Sequence, residues 1–236
     1  IQIHENLVLH DDGEIAFAFR KKSPELKKAL DVFSEKNKIG SSFGNQKLQS
    51  YLKSIKWVNN ATDPKELKKF HALANLFQKY GNEYRIDWLL MTAQGYQESG
   101  LDQNKRSKVG AIGVMQIMPA TGKELKVGDI GRVENNINGG VKYIRYLIEQ
   151  YYNKKEITDL NKVLFAFAAY NAGPTRVQQL RNEAEKRGLN PNVWFDNVER
   201  IAAERIGRET VQYVSNIYKY AVAYKLVLEL PNKNKP

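Results

Sequence analysis

The sequence predicts a mainly α fold: an all-helical domain over residues 58–236, preceded by a small, partial α/β segment over residues 1–57. Two observations lead there. From residue 63 onward, apolar residues recur at helical spacing between helix start and stop signals, and no stretch alternates as a strand would. Before residue 58, a short apolar run at residues 15–19 follows the turn signal Asp11-Asp12-Gly13 and reads as a strand.

In the first segment, Ser23 suits the N-cap of a helix and Pro24 its first position, with Leu26, Leu30 and Phe33 on one apolar face. A turn between Gly40 and Gly44 leads to a short helix carrying Leu48, Tyr51 and Leu52. One strand and two helices bury too little surface for a core of their own. Residues 1–57 are therefore expected to lean on the rest of the chain or to be the remainder of something larger.

Asp63-Pro64-Lys65-Glu66 has the pattern of a capping box with proline at the first helical position. Leu67, Phe70, Leu73, Ala74, Phe77 and Tyr80 follow at helical spacing, and Gly81 is expected to close the helix. Asp87 suits the next N-cap. Trp88, Leu89, Leu90, Met91 and Ala93 make that helix apolar nearly all round, hence buried, and Gly100 is its expected stop. Residues 101–132 are punctuated by Gly110, Gly113, Gly122, Gly128 and Gly131 and form a long irregular segment, of a kind that often carries function.

A helix is predicted over residues 135–152, with Ile137, Val141, Ile144, Leu147, Ile148 and Tyr151 on one face. Residues 160–170 are apolar almost throughout and predict the central buried helix, broken sharply at Asn171-Ala172-Gly173-Pro174. Residues 175–187 predict a polar, Arg-rich helix with a solvated face. A turn at 188–191 leads to two more helices, over about 197–207 and 208–230, before a tail expected to fray.

The bulk numbers exclude several classes. The 236 residues are 42% hydrophobic and 27% charged, ordinary for a globular protein. No run approaches the ~20 apolar residues of a membrane span, so no transmembrane segment is expected in this chain. Ile1 opens the sequence with no charged-then-apolar leader, which reads as a mature or trimmed chain. The absence of cysteine removes disulfides, thiol nucleophiles and thiolate metal sites. His4, His10 and His71 are scattered without metal-ligand spacing. The net charge of +11 predicts attraction to polyanions: nucleic acid, anionic lipid or an acidic cell-wall polymer. No Lys/Arg run interleaved with aromatics supports the first of these, so no nucleic acid is expected as a partner.

Glu98 is the leading candidate for chemistry. It falls in the last turn of the apolar helix, where desolvation and the negative end of the helix dipole both disfavour its anion. Both push towards a protonated, acid-competent group near neutral pH. Most glycosidases use a second carboxylate. Asp102, Glu124 and Asp129 are the nearest in sequence, and each reads as a solvated loop residue without a local signature.

Three short stretches stand out together: Gln97-Glu98-Ser99, Gly113-Val114-Met115-Gln116-Ile117-Met118-Pro119, and Ala169-Tyr170-Asn171-Ala172-Gly173-Pro174. In this order and spacing they resemble the soluble lytic transglycosylase domain, a lysozyme-like fold that cleaves the glycan strands of peptidoglycan. The stretch Glu209-Thr210-Val211-Gln212-Tyr213-Val214 is similar to that family's C-terminal motif. The resemblance runs from about residue 70 to 228; Val114 stands where the family usually has leucine. Residues 1–57 are similar to the end of a periplasmic solute-binding domain. That order of domains, with the stretch 185–194, resembles membrane-bound lytic transglycosylases. The chain is then expected to be a truncated form whose missing N-terminal part binds a ligand such as a peptide or amino acid.

The resemblance implies a mechanism with a single carboxylate and no metal or cofactor. Glu98 acts as acid on the bond between N-acetylmuramic acid and N-acetylglucosamine, then as base on the muramoyl C6 hydroxyl, giving 1,6-anhydromuramic acid. Ser107, Gln116 and Met118 are expected to line the cleft. Tyr170 and Asn171 are expected opposite Glu98, with the tyrosine hydroxyl near the carboxylate or the substrate acetamido group. Tyr213 would close the far wall, and Ser99 would touch substrate or, more simply, hold the helix end or Glu98 in place. Read without the resemblance, Met118 and Tyr170 suit plain packing equally, while Gln116 has no evident structural job. Peptidoglycan glycan strands are the implied partner, and their stem-peptide carboxylates give the basic surface a use. The implied location is the periplasm or cell envelope, in association with the outer membrane. A muramidase of the same fold and a non-catalytic wall-binding module remain the alternatives.

Overall fold

The computed structural model describes residues 23–37 and 63–229. The chain divides into two compact units, Ile1–Ile55 and Lys56–Pro236. The described part of the first is one helix, α1 (Pro24–Asn37), whose first turn closes from Lys27 N–H to the Ser23 carbonyl at 3.0 Å. Leu26 and Phe33 on this helix are exposed. The strand expected at 15–19 and the helix at 48–52 lie outside the described residues.

The described part of the second unit is helical, with two isolated bridges, Arg106–Ile112 and Ile112–Ile117, in place of strands. α2 (Pro64–Tyr84) starts as expected: the Asp63 carboxylate accepts from Lys65 N–H at 2.9 Å. It does not end at Gly81. It runs one turn further, to a left-handed Arg85. Gly81 serves close approach instead: a Cβ there would sit 2.8 Å from Trp88 Cβ and 2.9 Å from the Ile86 carbonyl. The glycine lets the next helix turn back directly against α2.

That helix, α3 (Trp88–Ser99), is bounded as the sequence predicts. Asp87 accepts from Leu89 N–H at 2.8 Å, and Gly100 ends it in the left-handed conformation at φ 68°. Residues 101–132 form an irregular segment with one short helix, α4 (Pro119–Glu124). α5 (Val133–Leu147) continues into a wider turn at Ile148–Tyr152. α6 (Asp159–Ala172) is the central buried helix, with residues 163–169 all inside, and Gly173-Pro174 turns the chain into α7 (Pro174–Lys186). A kinked turn at Trp194–Val198 leads to α8 (Glu199–Arg205) and α9 (Arg208–Glu229).

α3 lies between α2 and α9, while α6 packs on α5, α7 and α9. Phe70, Phe77, Met91, Phe165, Phe167, Trp194 and Tyr224 fill the core between them. One expectation for α7 is corrected. Arg181 is buried, not solvated: its guanidinium donates to the Pro191 carbonyl and Asn192 Oδ1, each at 2.8 Å, and to Gln178 Oε1 at 3.0 Å. It also lies 5.1 Å above the Phe165 ring, so cation–π attraction and neutral acceptors together replace its water. Among the described residues, no helix is long and apolar enough to cross a membrane.

Candidate active site

Glu98 sits in the last turn of α3, half-buried. Burial pushes its carboxyl up from 4.5 to about 7. A hydrogen bond from Tyr213 and the positive charge of Lys105 oppose that rise. Tyr213 projects from α9 with only 7% of its surface exposed, and its hydroxyl donates to Glu98 Oε1. Burial and the nearby Glu98 hold the phenol well above its usual range, so it stays protonated and can donate at any working pH. Behind it, Gln94 Nε2 donates to the tyrosine oxygen at 3.2 Å.

Tyr170 closes α6 on the other side. Its hydroxyl donates to the Met115 carbonyl at 2.6 Å, and its ring packs 5.4 Å from that of Tyr143. The expected contact between a tyrosine hydroxyl and the carboxylate is therefore made by Tyr213. Tyr170 lies near enough to feel the charge of Glu98, but its proton goes to the backbone of the glycine-rich segment. Asn171 is exposed beside it and accepts from Thr210 Oγ1 at 2.7 Å, which ties the end of α6 to the start of α9.

Ser99 is buried, with its hydroxyl 3.1 Å from the Gly95 carbonyl and 2.8 Å from that of Val114, while it accepts from Asp102 N–H at 3.0 Å. It is engaged within the protein and pins the end of α3 to the glycine-rich segment. With its hydroxyl engaged in this way, its bonds suit the holding role. Gln116 proves to have a structural job as well. It sits in the left-handed region at φ 48°, and its amide nitrogen donates to the Gly113 carbonyl at 2.8 Å and the Lys105 carbonyl at 3.3 Å. Through Lys105 it is joined to the segment whose charge acts on Glu98. Ser107 accepts from Ala111 N–H at 2.9 Å, and Met118 is 41% exposed ahead of α4, which removes the packing reading of that methionine. Neither Ser107 nor Met118 bonds Glu98.

The segment is irregular but well fixed. Asn136, fully buried in α5, accepts from Met115 N–H at 2.8 Å and donates to the Ile112 and Ile130 carbonyls at 2.8 and 3.1 Å. Gln103 bonds the carbonyls of Ile130 and Gly131 and accepts from Val114 N–H. Gly113 must be glycine: at φ 78° a Cβ would lie 2.6 Å from both Asn136 Nδ2 and Gln103 Oε1. Buried side-chain amides thus replace the ladder that this backbone lacks. The sequence did not mark Asn136 or Gln94. A signal existed for Gln94, a polar residue one turn before Glu98 in a largely buried helix. Asn136 carries no such mark.

The other candidate carboxylates are solvent-facing: Asp102 and Asp129 lie in turns and Glu124 ends α4. Asp102 accepts from Asn104 N–H and Asp129 from Gly131 N–H, each at 2.8 Å, and both are exposed, as is Glu124. Among the described residues no cluster of His, Cys, Asp and Glu could hold a metal ion. The arrangement presents one proton-exchanging carboxyl, poised near neutral pH, between two tyrosines.

Comparison with known proteins agrees with this geometry. The family described as Transglycosylase SLT domain matches residues 75–192. The chain is 35% identical to membrane-bound lytic murein transglycosylase F of Pseudomonas fluorescens, covering 61% of this chain and 32% of that one. It is 34% identical to the protein of that name from Shewanella woodyi, covering 67% and 34%. The chain thus spans about a third of the length of these curated relatives. Among solved structures, the 70 kDa soluble lytic transglycosylase of Escherichia coli matches with a TM-score of 0.52 at 29% identity, over 66% of this chain and 24% of that one. An inactive glutamate-to-glutamine mutant of the lytic transglycosylase Slt from Pseudomonas aeruginosa matches with a TM-score of 0.50 at 29% identity, over the same shares.

Proposed function

This chain belongs to the transglycosylase SLT domain family, and from that premise we propose that it is a peptidoglycan lytic transglycosylase with Glu98 as its single acid and base. One observation carries the reading: a half-buried carboxyl at a helix end, raised to about 7 and bonded by Tyr213, with no carboxylate among the described residues acting on it. A group with that affinity for protons is populated in both forms near neutral pH, as a residue must be that gives a proton and then takes one. The named activity of the relatives and the inactivity of a glutamate-to-glutamine mutant in a similar enzyme support it.

Protonated Glu98 gives its proton to the oxygen of the β-1,4 bond between N-acetylmuramic acid and N-acetylglucosamine. The C1–O bond breaks, and the N-acetylglucosamine leaves with a free 4-hydroxyl. The substrate acetamido group stabilises the electron-poor C1. Ionised Glu98 then takes the proton of the muramoyl C6 hydroxyl as O6 bonds to C1, which yields the 1,6-anhydro sugar and restores the acid. Water is not consumed. Tyr213 stabilises the ionised intermediate state of Glu98. Met118, with Ser107, Gln116 and Asn171, supplies the cleft wall, while Tyr170 holds the Met115 backbone in place.

Residues 1–57 are read as the end of a solute-binding-like regulatory domain, with 58–236 as the catalytic domain. The site of action would be the periplasmic face of the envelope, near the outer membrane. Mass spectrometry of peptidoglycan digested by this chain and by Glu98→Gln tests the function. Anhydromuropeptides from the wild type alone are expected. Reducing-end products would make it a muramidase, and binding without products a wall-binding module.

A further inference from the structure

Gln94 lies one turn before Glu98 on α3, so the two side chains share a face of the helix. It is fully buried. Its amide nitrogen donates to Tyr213, while its amide oxygen has no hydrogen-bond partner. An unsatisfied buried oxygen costs stability, and a leucine or methionine would fill the space without that cost. The polar group therefore calls for a use.

The hydrogen-bond sense supplies one. A tyrosine hydroxyl has one proton to give. Because Gln94 delivers a proton to the Tyr213 oxygen, the proton of Tyr213 is directed away from Gln94 and onto Glu98. Donation to an oxygen also strengthens that oxygen's own O–H as a donor. The other groups facing Glu98 do not share this dependence: Lys105 acts from the glycine-rich segment as a charge, and Tyr170 from α6 has its proton on the Met115 carbonyl.

We infer that Gln94 is a positioning residue of this site, acting through Tyr213 to aim the tyrosine proton at Glu98 and so stabilise the ionised, base form. The inference rests on the reading of Glu98 as acid and base. Gln94 touches no substrate; its effect is on when Glu98 gives up its proton.

The test replaces Gln94 by methionine, which keeps length and shape, and independently by leucine. Glu98 is titrated in the intact chain by 13C NMR of its side-chain carboxyl, and the pH profile of muropeptide release is recorded. Melting temperature is expected to hold or rise in both variants, since an unpaired buried oxygen is removed. The Glu98 titration and the alkaline limb of kcat are expected to move up by about 0.5 to 1 pH, with KM unchanged. In a Tyr213→Phe background, Gln94→Met is expected to add no further movement. A titration unmoved by either substitution would overturn the inference, as would an equal movement without the Tyr213 hydroxyl. A wild type that releases no anhydro products would instead count against the proposed function, and the NMR titration would still decide the role of Gln94.

Discussion

Tyr213 donates its hydroxyl proton to Glu98 across 115 residues of sequence, joining the last long helix of the second unit to the end of α3. The bond has a definite sign. It favours the ionised carboxylate and so holds Glu98 lower than burial alone would. Tyr213→Phe should therefore raise the Glu98 pKa above about 7 and carry the alkaline limb of the pH–rate profile, where Glu98 loses the proton it must donate, upward. A loss of kcat of about 10- to 100-fold is expected, below the ~10²–10⁴-fold of a group that itself transfers the proton. Anhydromuropeptide release against pH measures it; an unmoved limb would remove Tyr213 from the proton chemistry.

Tyr170→Phe should behave differently. The hydroxyl it loses is bonded to the Met115 carbonyl, not to Glu98. The variant is expected to lose about 1 kcal/mol of stability, the net worth of one hydrogen bond, and to raise KM through a loosened segment. Its alkaline limb should stay within about 0.3 pH of the wild type, because no bond to the ionising group is lost. A limb that moves as far as in Tyr213→Phe would show that Tyr170 serves the carboxylate directly.

The raised Glu98 also predicts how stability varies with pH. Its folded pKa, about 7, exceeds its ordinary 4.5, so the folded state binds this proton more tightly than the unfolded state. The contribution is fully present below pH 4.5 and is lost as pH rises through about 7. Glu98→Gln, which stays neutral, should gain in melting temperature over the wild type at pH 8 and little at pH 4.5. The upper bound is about 3 kcal/mol, reduced by solvent screening around a carboxyl that is not fully enclosed. Equal melting differences at the two pH values would mean that Glu98 is an ordinary carboxylate.

The helices and Glu98 were legible in the sequence for one reason: their signals are local. Asp63, Asp87 and Gly100 act within a turn of their own position, and apolar spacing reports burial directly. The misreadings are of contacts that depend on how the backbone turns back on itself rather than on local pattern. Gly81 has the signature of a helix stop, yet serves the approach of Trp88. Gln116 lacks a visible structural role until the loop brings the Gly113 and Lys105 carbonyls to it. Motif resemblance placed both tyrosines at the site and put the Tyr170 hydroxyl near the carboxylate or the acetamido group; that the bond to Glu98 comes from Tyr213 depends on where α6 and α9 lie against α3.

Arg181→Leu tests a part of the fold that composition hides. The guanidinium bonds Pro191, Asn192 and Gln178 and lies over Phe165, so α7 and the 188–193 turn are joined through one side chain. Its removal should cost about 2–4 kcal/mol, as for a buried network losing its centre, read by urea unfolding. Below the melting transition, kcat should be unchanged, since no bond of Arg181 reaches α3 or the glycine-rich segment. A cost under about 0.5 kcal/mol would return this arginine to the solvated face that its sequence context suggests.

Asn136→Ala brings fold and site together. The side-chain amide satisfies Met115 N–H and the Ile112 and Ile130 carbonyls, and no water-facing route replaces it because the residue is fully buried. Deleting it leaves three backbone groups short of partners at about 1–3 kcal/mol for each that stays unsatisfied, eased where the segment relaxes. Relaxation is itself damaging here. Ile112 pairs with Ile117 and with Arg106, so movement at Ile112 shifts the backbone that carries Gln116 and Met118, and with it the Met115 carbonyl that Tyr170 holds. The variant is expected to unfold at lower urea by about 3 kcal/mol. While still folded, it should bind glycan strands weakly, with KM raised more than kcat is lowered, because Glu98 and Tyr213 sit on α3 and α9 and are untouched. If kcat falls and KM holds, the segment governs the proton transfer itself, and the division between a helix-borne acid and a loop-borne cleft wall is wrong.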